Sequence, residues 1–415
     1  MLNLFATIFI VCGKVNFSNL SRYSNLSERT YRRQFAEELD YPRFNGVLIE
    51  EAISSKSRSI GVVDCSFIRK SGKQTYGVDY YYNGSASKSE KGLEISVIAV
   101  VDVDAHQGYT LSVQQTAGRE DAPVTAKLVD QDQVKPEVKK RTKQGKKAPK
   151  QDKKSASIDL QQATRVDAYL KHLKNTQPYL PASVKHIVAD GFYSKEKFVY
   201  GVIGMGLHMV GKLRVDASLC YIFTGEQRPR GARRKYDGKV DLNDVSRFQF
   251  VQDLEPNLKL YTAVVWHLSL KLQVRIAYIS DTRQPGKVGH VILFSTDLDL
   301  SAYDIFCFYK ARFQIEFIFR DAKQFTGLGD CQARSQDKLD FHFNASLTAL
   351  NLAKFDALQQ HASDQPFVFS MATYKRRALM DHLLDQFISM LGLNHTLIKS
   401  HPNYQKLRSY GSLLP

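Results

Sequence analysis

The chain is short of the residues that staple or span. Its 415 residues hold five cysteines, Cys12, Cys65, Cys220, Cys307 and Cys331. They are scattered, odd in number and form no C-x-x-C pair, so neither a disulfide framework nor a zinc site is expected. A reducing compartment fits. Long apolar runs are also missing. The opening Leu2–Val11 is apolar but far under the roughly 20 residues a membrane span needs. It lacks a basic leader and a small-x-small cleavage site, so it reads as a packed first helix of a cytoplasmic protein with no membrane partner. Acidic residues are outnumbered, 42 against 58 Lys and Arg, giving a net charge of +16 and a pI near 9.4. That balance disfavours acidic partners' opposites and points to a polyanion, nucleic acid ahead of an anionic membrane. A merely basic enzyme is the plainer alternative. Hydrophobic content of 43% suffices for real cores, and the length suggests two or three domains.

Residues 1–57 read as helical. Phe17–Tyr23 and a second helix capped by Ser27 are separated by a tight turn, and Pro42 is expected to stop the second. Arg29, Arg32 and Arg33 on that second helix suggest helix-turn-helix contact with DNA. A helical hairpin with surface arginines is the alternative. From residue 58 the pattern turns to strands: Ser59–Asp64, Leu93–Val101 and Gly108–Val113 suggest an antiparallel meander. A helix over Asp159–Asn175, a strand Val184–Asp190, a helix from Ser194 and a strand His208–Leu213 make an α/β alternation. Between them, residues 135–154 carry ten Lys or Arg, two acids and no aromatic. Such a stretch packs no core and reads as a loop, either tracking phosphates or simply solvated.

Residues 214–300 read as a β-rich insertion. Arg233 and Arg234 lie in its Gly/Pro-spaced basic loop and are candidate DNA contacts. The strands Leu258–Val265, Leu272–Ile279 and His290–Ser295 follow. Residues 301–362 carry a helix over 303–325 and the start of a helical tail, which continues through 363–415. On a single helix, Tyr309, Arg312, Glu316 and Lys323 share an arc of about 60° at 100° per residue. A carboxylate beside cations in an aromatic wall is costly unless paired or bound. It suits a metal next to phosphate. A solvated, salt-bridged stripe is the other reading.

Two further carboxylates end apolar strands, Asp64 and Asp190. With Glu316 they make three, enough to hold two divalent cations; Mg²⁺ is expected, with Mn²⁺ as a substitute. Asp102 and Asp104 follow a strand and rival Asp64. His106, His186 and His267 are isolated and read as structural.

Asp64 in V-V-D-C-S-F-I, Asp190 in I-V-A-D-G-F-Y-S and the spaced motif Y-x2-R-x3-E-x6-K at 309–323 resemble the DDE transposases of bacterial insertion sequences, more narrowly the insertion-sequence-four type. The resemblance covers about residues 14–390. It implies an α/β, ribonuclease-H-like core with a β-rich insertion, a small N-terminal DNA-binding region and a helical C-terminal part. It implies that Asp64, Asp190 and Glu316 bind the catalytic metals, and that Tyr309, Arg312 and Lys323 hold DNA phosphates. It further implies cut-and-paste transposition by a homodimer on double-stranded DNA, in the nucleoid. Relatives that form a hairpin use an aromatic of the insertion to stack a flipped base. The single tryptophan, Trp266, lies there, in an apolar strand that favours core packing. Two other readings stand beside this one: a different ribonuclease-H-like nuclease or integrase, and an inactive transposase-derived DNA-binding protein or repressor.

If residues 135–154 contact phosphate, their deletion lowers the slope of log K against log salt in DNA binding. An unchanged slope makes the segment a linker.

Overall fold

Aliphatic and β-branched residues crowd the strands, and the sheet they form is buried on both faces. The fold comes from a computed structural model describing residues 1–117, 124–128, 158–162, 164–284, 286, 288–361 and 367–412. Four helices come first: α1 (Leu2–Ile10), α2 (Phe17–Arg22), α3 (Glu28–Gln34) and α4 (Tyr41–Ala52). Strands β1 (Ser59–Arg69), β2 (Asp79–Asn83), β3 (Lys88–Asp102) and β4 (Gln107–Gln115) follow, then β5 (Val124–Leu128) and β6 (Ile158–Gln162). Next are α5 (Arg165–Thr176), β7 (His186–Val188), α6 (Glu196–Gly204) and β8 (His208–Leu213). Six strands come after: β9 (Leu219–Ile222), β10 (Tyr236–Lys239), β11 (Gln249–Glu255), β12 (Leu258–His267), β13 (Leu272–Asp281) and β14 (Gly289–Ser295). The chain then turns helical: α7 (Ala302–Ala311), α8 (Gln314–Phe325), α9 (Gln336–Gln359), α10 (Met371–Met390), α11 (His395–Ser400) and α12 (Pro402–Arg408).

Strands β4, β3, β1, β7 and β8 lie side by side in that order. The first three pair antiparallel, while β7 runs parallel to both β1 and β8. This is the ribonuclease-H-like arrangement. The strands expected in the insertion are present, and they extend the same sheet: β14 pairs with β8, and β13, β12, β9 and β10 continue from it. Helices α7, α8 and α9 cover one face, with Ile305, Ile315, Ile318 and Phe343 against Val62, Val97 and Val188. Helices α4, α5 and α6 cover the other, with Ile49, Leu173 and Phe198 against Val63, Ile98 and Ile187. Burial on both faces explains why β1 and β3 read as continuous apolar runs.

Among the described residues strand β4 has no strand on its outer side, and polar side chains take that place. Asn351 Nδ2 donates to Thr110 O at 2.6 Å, and Asn351 Oδ1 accepts from Thr110 N at 2.9 Å. Asn344 Nδ2 donates to Val113 O, and Lys354 Nζ to Gly108 O, both from α9. From α4, Asn45 Nδ2 donates to Leu111 O, at the irregularity where Ile98 faces Ser112 and Ala99 faces Thr110. A buried edge needs such partners, since each unpaired backbone group costs about as much as a lost hydrogen bond.

Several expectations are corrected. Pro42 does not end the second helix. It stands in the first turn of α4, where its missing N–H is not needed, while α3 stops at Gln34. Residues 158–162 are strand, paired with β5, and α5 begins later, where Thr164 and Asp167 form a capping box. The Ser27 cap of α3 is present, accepting from Thr30 N. The N-terminal helices share their core with α9: Leu4, Phe17, Leu20 and Tyr31 cluster with Phe341, Ala345 and Ala349. The basic stretch 135–154 lies outside the described residues.

Asn351→Ala should lower unfolding free energy by roughly 2–4 kcal/mol, because it orphans both backbone groups of Thr110 and Oδ1 of Asn45. Denaturant titration measures it, with the exposed Asn243 as a control position.

Candidate active site

The parallel pairing of β1 with β7 sets the height of two carboxylates. Val62 faces Val188, so Asp64 and Asp190 each stand two residues further on. Residues two apart on a strand share a face, and neighbouring strands are about 4.8 Å apart. Asp64 is not at a strand end, as the sequence suggested. Strand β1 runs on to Arg69 because β3 continues to pair with it, while β7 stops at Val188. The missing parallel neighbour opens the gap into which Asp64 faces. Asp190 lies just past β7 and caps the next turn, Oδ1 accepting from Phe192 N at 2.9 Å.

Glu316 approaches from α8. The expected single helix is in fact two. Around Arg312 and Phe313 the bonding shifts to three-residue steps: Phe313 N to Lys310 O, Ile315 N to Arg312 O and Glu316 N to Phe313 O. Tightening to about three residues per turn breaks the straight stripe, yet Arg312 still meets Glu316 and lies over the Tyr309 ring. Tyr309 is half-buried, and Arg312 is turned inward with 13% of its side chain exposed. Glu316 and Lys323 are exposed.

Asp64, Asp190, Glu316 and Lys323 line one open groove of about 810 Å³. Arg312 and Tyr309 lie outside its lining. The guanidinium of Arg312 donates to Asp64 Oδ2 at 3.0 Å and to Glu316 Oε1 at 3.3 Å. Its Nε is buried without a partner among the described residues. Burial works against the Arg312 charge, yet the carboxylates prevail and hold its pKa above the ordinary value. Asp64 is pushed up to about 6, first by burial and also by Asp190 and Glu316, against Arg312 and the Cys65 N–H. Loss of solvent in the groove wall holds the Lys323 ammonium below its usual pKa. Among the described residues Lys323 has no ion-pair partner.

The donor set suits a hard divalent cation. Three carboxylates line one groove, and their mutual repulsion at Asp64 is the stress a cation relieves. As arranged, no three His, Cys, Asp or Glu side chains among the described residues stand close enough to hold one ion together. Arg312 spans two of the three.

The groove has residues the sequence did not single out. Arg165 from α5, Arg320 from α8, Glu94 from β3 and the Tyr82–Ser85 hairpin tip all line it. Arg320 follows Glu316 by four residues, a helical spacing that marked it. Nothing in the sequence tied Arg165 to this place. Behind the aspartates, Tyr193 OH and Cys65 Sγ are 3.0 Å apart, linking the two Asp-bearing segments. The rivals are elsewhere: Asp104 pairs with Arg58, and Asp102 accepts from the N–H groups of Asp104 and Ala105. His186 pairs with Asp297, and Trp266 packs against Tyr236 away from the groove. Arg29, Arg33 and Arg233 are exposed; Arg32 is tied to Glu28 and Arg234 to Asp237.

Sheet order and acidic groove together define a nuclease of the ribonuclease-H-like class. The family model of the DDE superfamily endonucleases matches residues 22–267, and the chain belongs to that family. No curated protein matches the chain. Membership implies DNA as substrate, and enzymes of this superfamily generally use divalent metals. The matched stretch includes Asp64 and Asp190 and ends before Glu316. Among the described residues, no helix is long and apolar enough to cross a membrane.

In EDTA, Asp64 should make stability fall as pH rises. Its folded pKa, about 6, exceeds the unfolded one, so the native state binds more protons between about pH 4 and 6. Across that window wild type should lose up to about 3 kcal/mol relative to Asp64→Asn. Denaturation at a series of pH values measures the difference; a flat difference would remove the burial argument.

Proposed function

We propose that the chain is a transposase that excises an insertion sequence by cutting DNA at the element's ends. The freed 3′-hydroxyl is then joined to target DNA. The observation that carries this reading is the placement of Asp64 and Asp190 at equal height on adjoining segments, facing Glu316 across one groove. Asp64, Asp190 and Glu316 would hold two Mg²⁺ ions, or Mn²⁺ in their stead. When bound, such ions supply activation of the attacking hydroxyl and neutralisation of the leaving oxygen.

The chain's own residues do the rest. Asp190 is fixed by the Phe192 N–H and Asp64 by the Cys65 N–H, so neither carboxylate has to be ordered when DNA arrives. Lys323 sets an unpaired positive charge along the groove among the described residues, and Arg320 and Arg165 join it once they turn from Asp321 and Glu94 to the phosphates on either side of the scissile bond. Arg312 and Tyr309 sit behind the groove and would reach phosphate only after Arg312 leaves its carboxylates. The exposed Arg29, Arg33 and Arg233 extend the basic surface. Two element ends must be held together for joining, so the working form is a homodimer on double-stranded DNA. The compartment is the cytoplasm, at the nucleoid.

The test is cleavage of a labelled duplex carrying the element's own terminal repeat, in Mg²⁺ or EDTA. Wild type should cut at the end in Mg²⁺ only. Asp190→Asn and Glu316→Gln should fall to the EDTA background while binding the repeat within a few-fold. Equal cutting by Glu316→Gln would remove Glu316 from the site. Tight binding by wild type without cutting in Mg²⁺ or in added Mn²⁺ would make the chain a transposase-derived binding protein or repressor.

A further inference from the structure

Resting on the metal-dependent reading above, we infer that Arg312 is an internal counter-ion that divalent cations must displace from Asp64 and Glu316. Three observations meet at this residue. First, its guanidinium bridges two of the three carboxylates of the groove, at 3.0 and 3.3 Å. A guanidinium and a divalent cation compete for the same carboxylate oxygens, since both neutralise the same charge. Second, among the described residues no three acidic side chains are grouped closely enough to share an ion as they stand. Glu316 must therefore move toward the aspartates for the three to act together. Third, the chain has a place for that movement. The Glu316 side chain is 46% exposed and tied to Arg312 at 3.3 Å, so it can swing once that bond is given up, without disturbing the buried Ile315 and Ile318 of the same helix.

The metal-free arrangement is also incomplete for Arg312. Its Nε is buried with no acceptor among the described residues. An arginine in a permanent structural bridge normally uses its whole fork, because an unmet buried donor carries a desolvation penalty. The bridge is therefore a holding position. It offsets the repulsion among the carboxylates while no cation is present. Once cations take Asp64 and Glu316, the guanidinium is released at the back of the groove, with its N–H donors free for a phosphate. Cation loading and phosphate grip are then coupled through one side chain. Arg312 is a positioning residue for the metal site before it is a DNA contact.

The experiment is calorimetric titration of Mn²⁺ into the full chain without DNA, for wild type, Arg312→Gln and Arg312→Lys. The expected result is Mn²⁺ affinity tighter by roughly ten-fold in Arg312→Gln, since a competing unit charge is gone. Arg312→Lys, which keeps a charge but not the fork, should fall between. In EDTA, Arg312→Gln should melt below wild type, and saturating Mn²⁺ should raise its melting temperature by more than it raises that of wild type. The melting readout also reports whether the variant folds. Equal or weaker Mn²⁺ affinity in both folded variants would overturn the displacement and leave the metal site standing. No Mn²⁺ binding by wild type or either variant at millimolar concentration would overturn the metal-dependent reading as well.

Discussion

The register of β1 against β7 is the constraint on which the active groove depends. Gly61 faces Ile187 and Val62 faces Val188. A Cβ on Gly61 would stand 2.7 Å from Ile187 Cδ1, so this crossing tolerates no larger residue without a shift. A slip of one residue would turn Asp64 to the opposite face of the sheet. The buried neighbours guard against that slip. Val62 belongs to the core under α7 and α8, Val63 to the core under α4 to α6, and both have no exposed surface. The placing of the groove's carboxylates is thus inherited from packing on two faces at once.

A second constraint is electrostatic. Placing Asp64 in the sheet interior costs free energy, and its neighbours Asp190 and Glu316 add to the cost. The fold meets that cost with Arg312, drawn inward at a break in the helix. The excess of basic residues elsewhere, +16 overall, serves a different purpose: it attracts a polyanion over distance. Local acidity inside global basicity is the charge pattern expected where DNA must approach and a cation must also be held.

Much of this was legible in the sequence. Apolar runs located β1, β3, β4, β8 and β12 to β14, and turn and cap residues located α2 and α3. Asp64 and Asp190 were visible because each follows such a run, and they line the groove with Glu316 and Lys323. What failed were inferences that needed long-range contacts. Strand β1 outran Asp64 because β3 supports it from far along the chain. The Tyr309–Lys323 stripe assumed an unbroken helix, whereas the inward pull on Arg312 coincides with a tightened turn. Residues 159–162 were read as helix because the pairing that makes them strand comes from β5. Arg165 reached the groove through the placement of α5, which no local pattern reveals.

The polar cover of β4 has a consequence for how the chain comes into being. Strand β4 ends at Gln115, but the side chains that satisfy its outer edge belong mostly to α9, which begins at Gln336. At roughly 5–20 residues per second, a ribosome delivers that helix roughly 10–45 s after the strand. During that interval the emerging sheet presents an edge met only by Asn45 of α4 and by water, and so open to another strand. The last helices are therefore what makes the early half of the chain safe from self-association, and a copy of the gene truncated before α9 would encode a sticky fragment instead of a smaller enzyme.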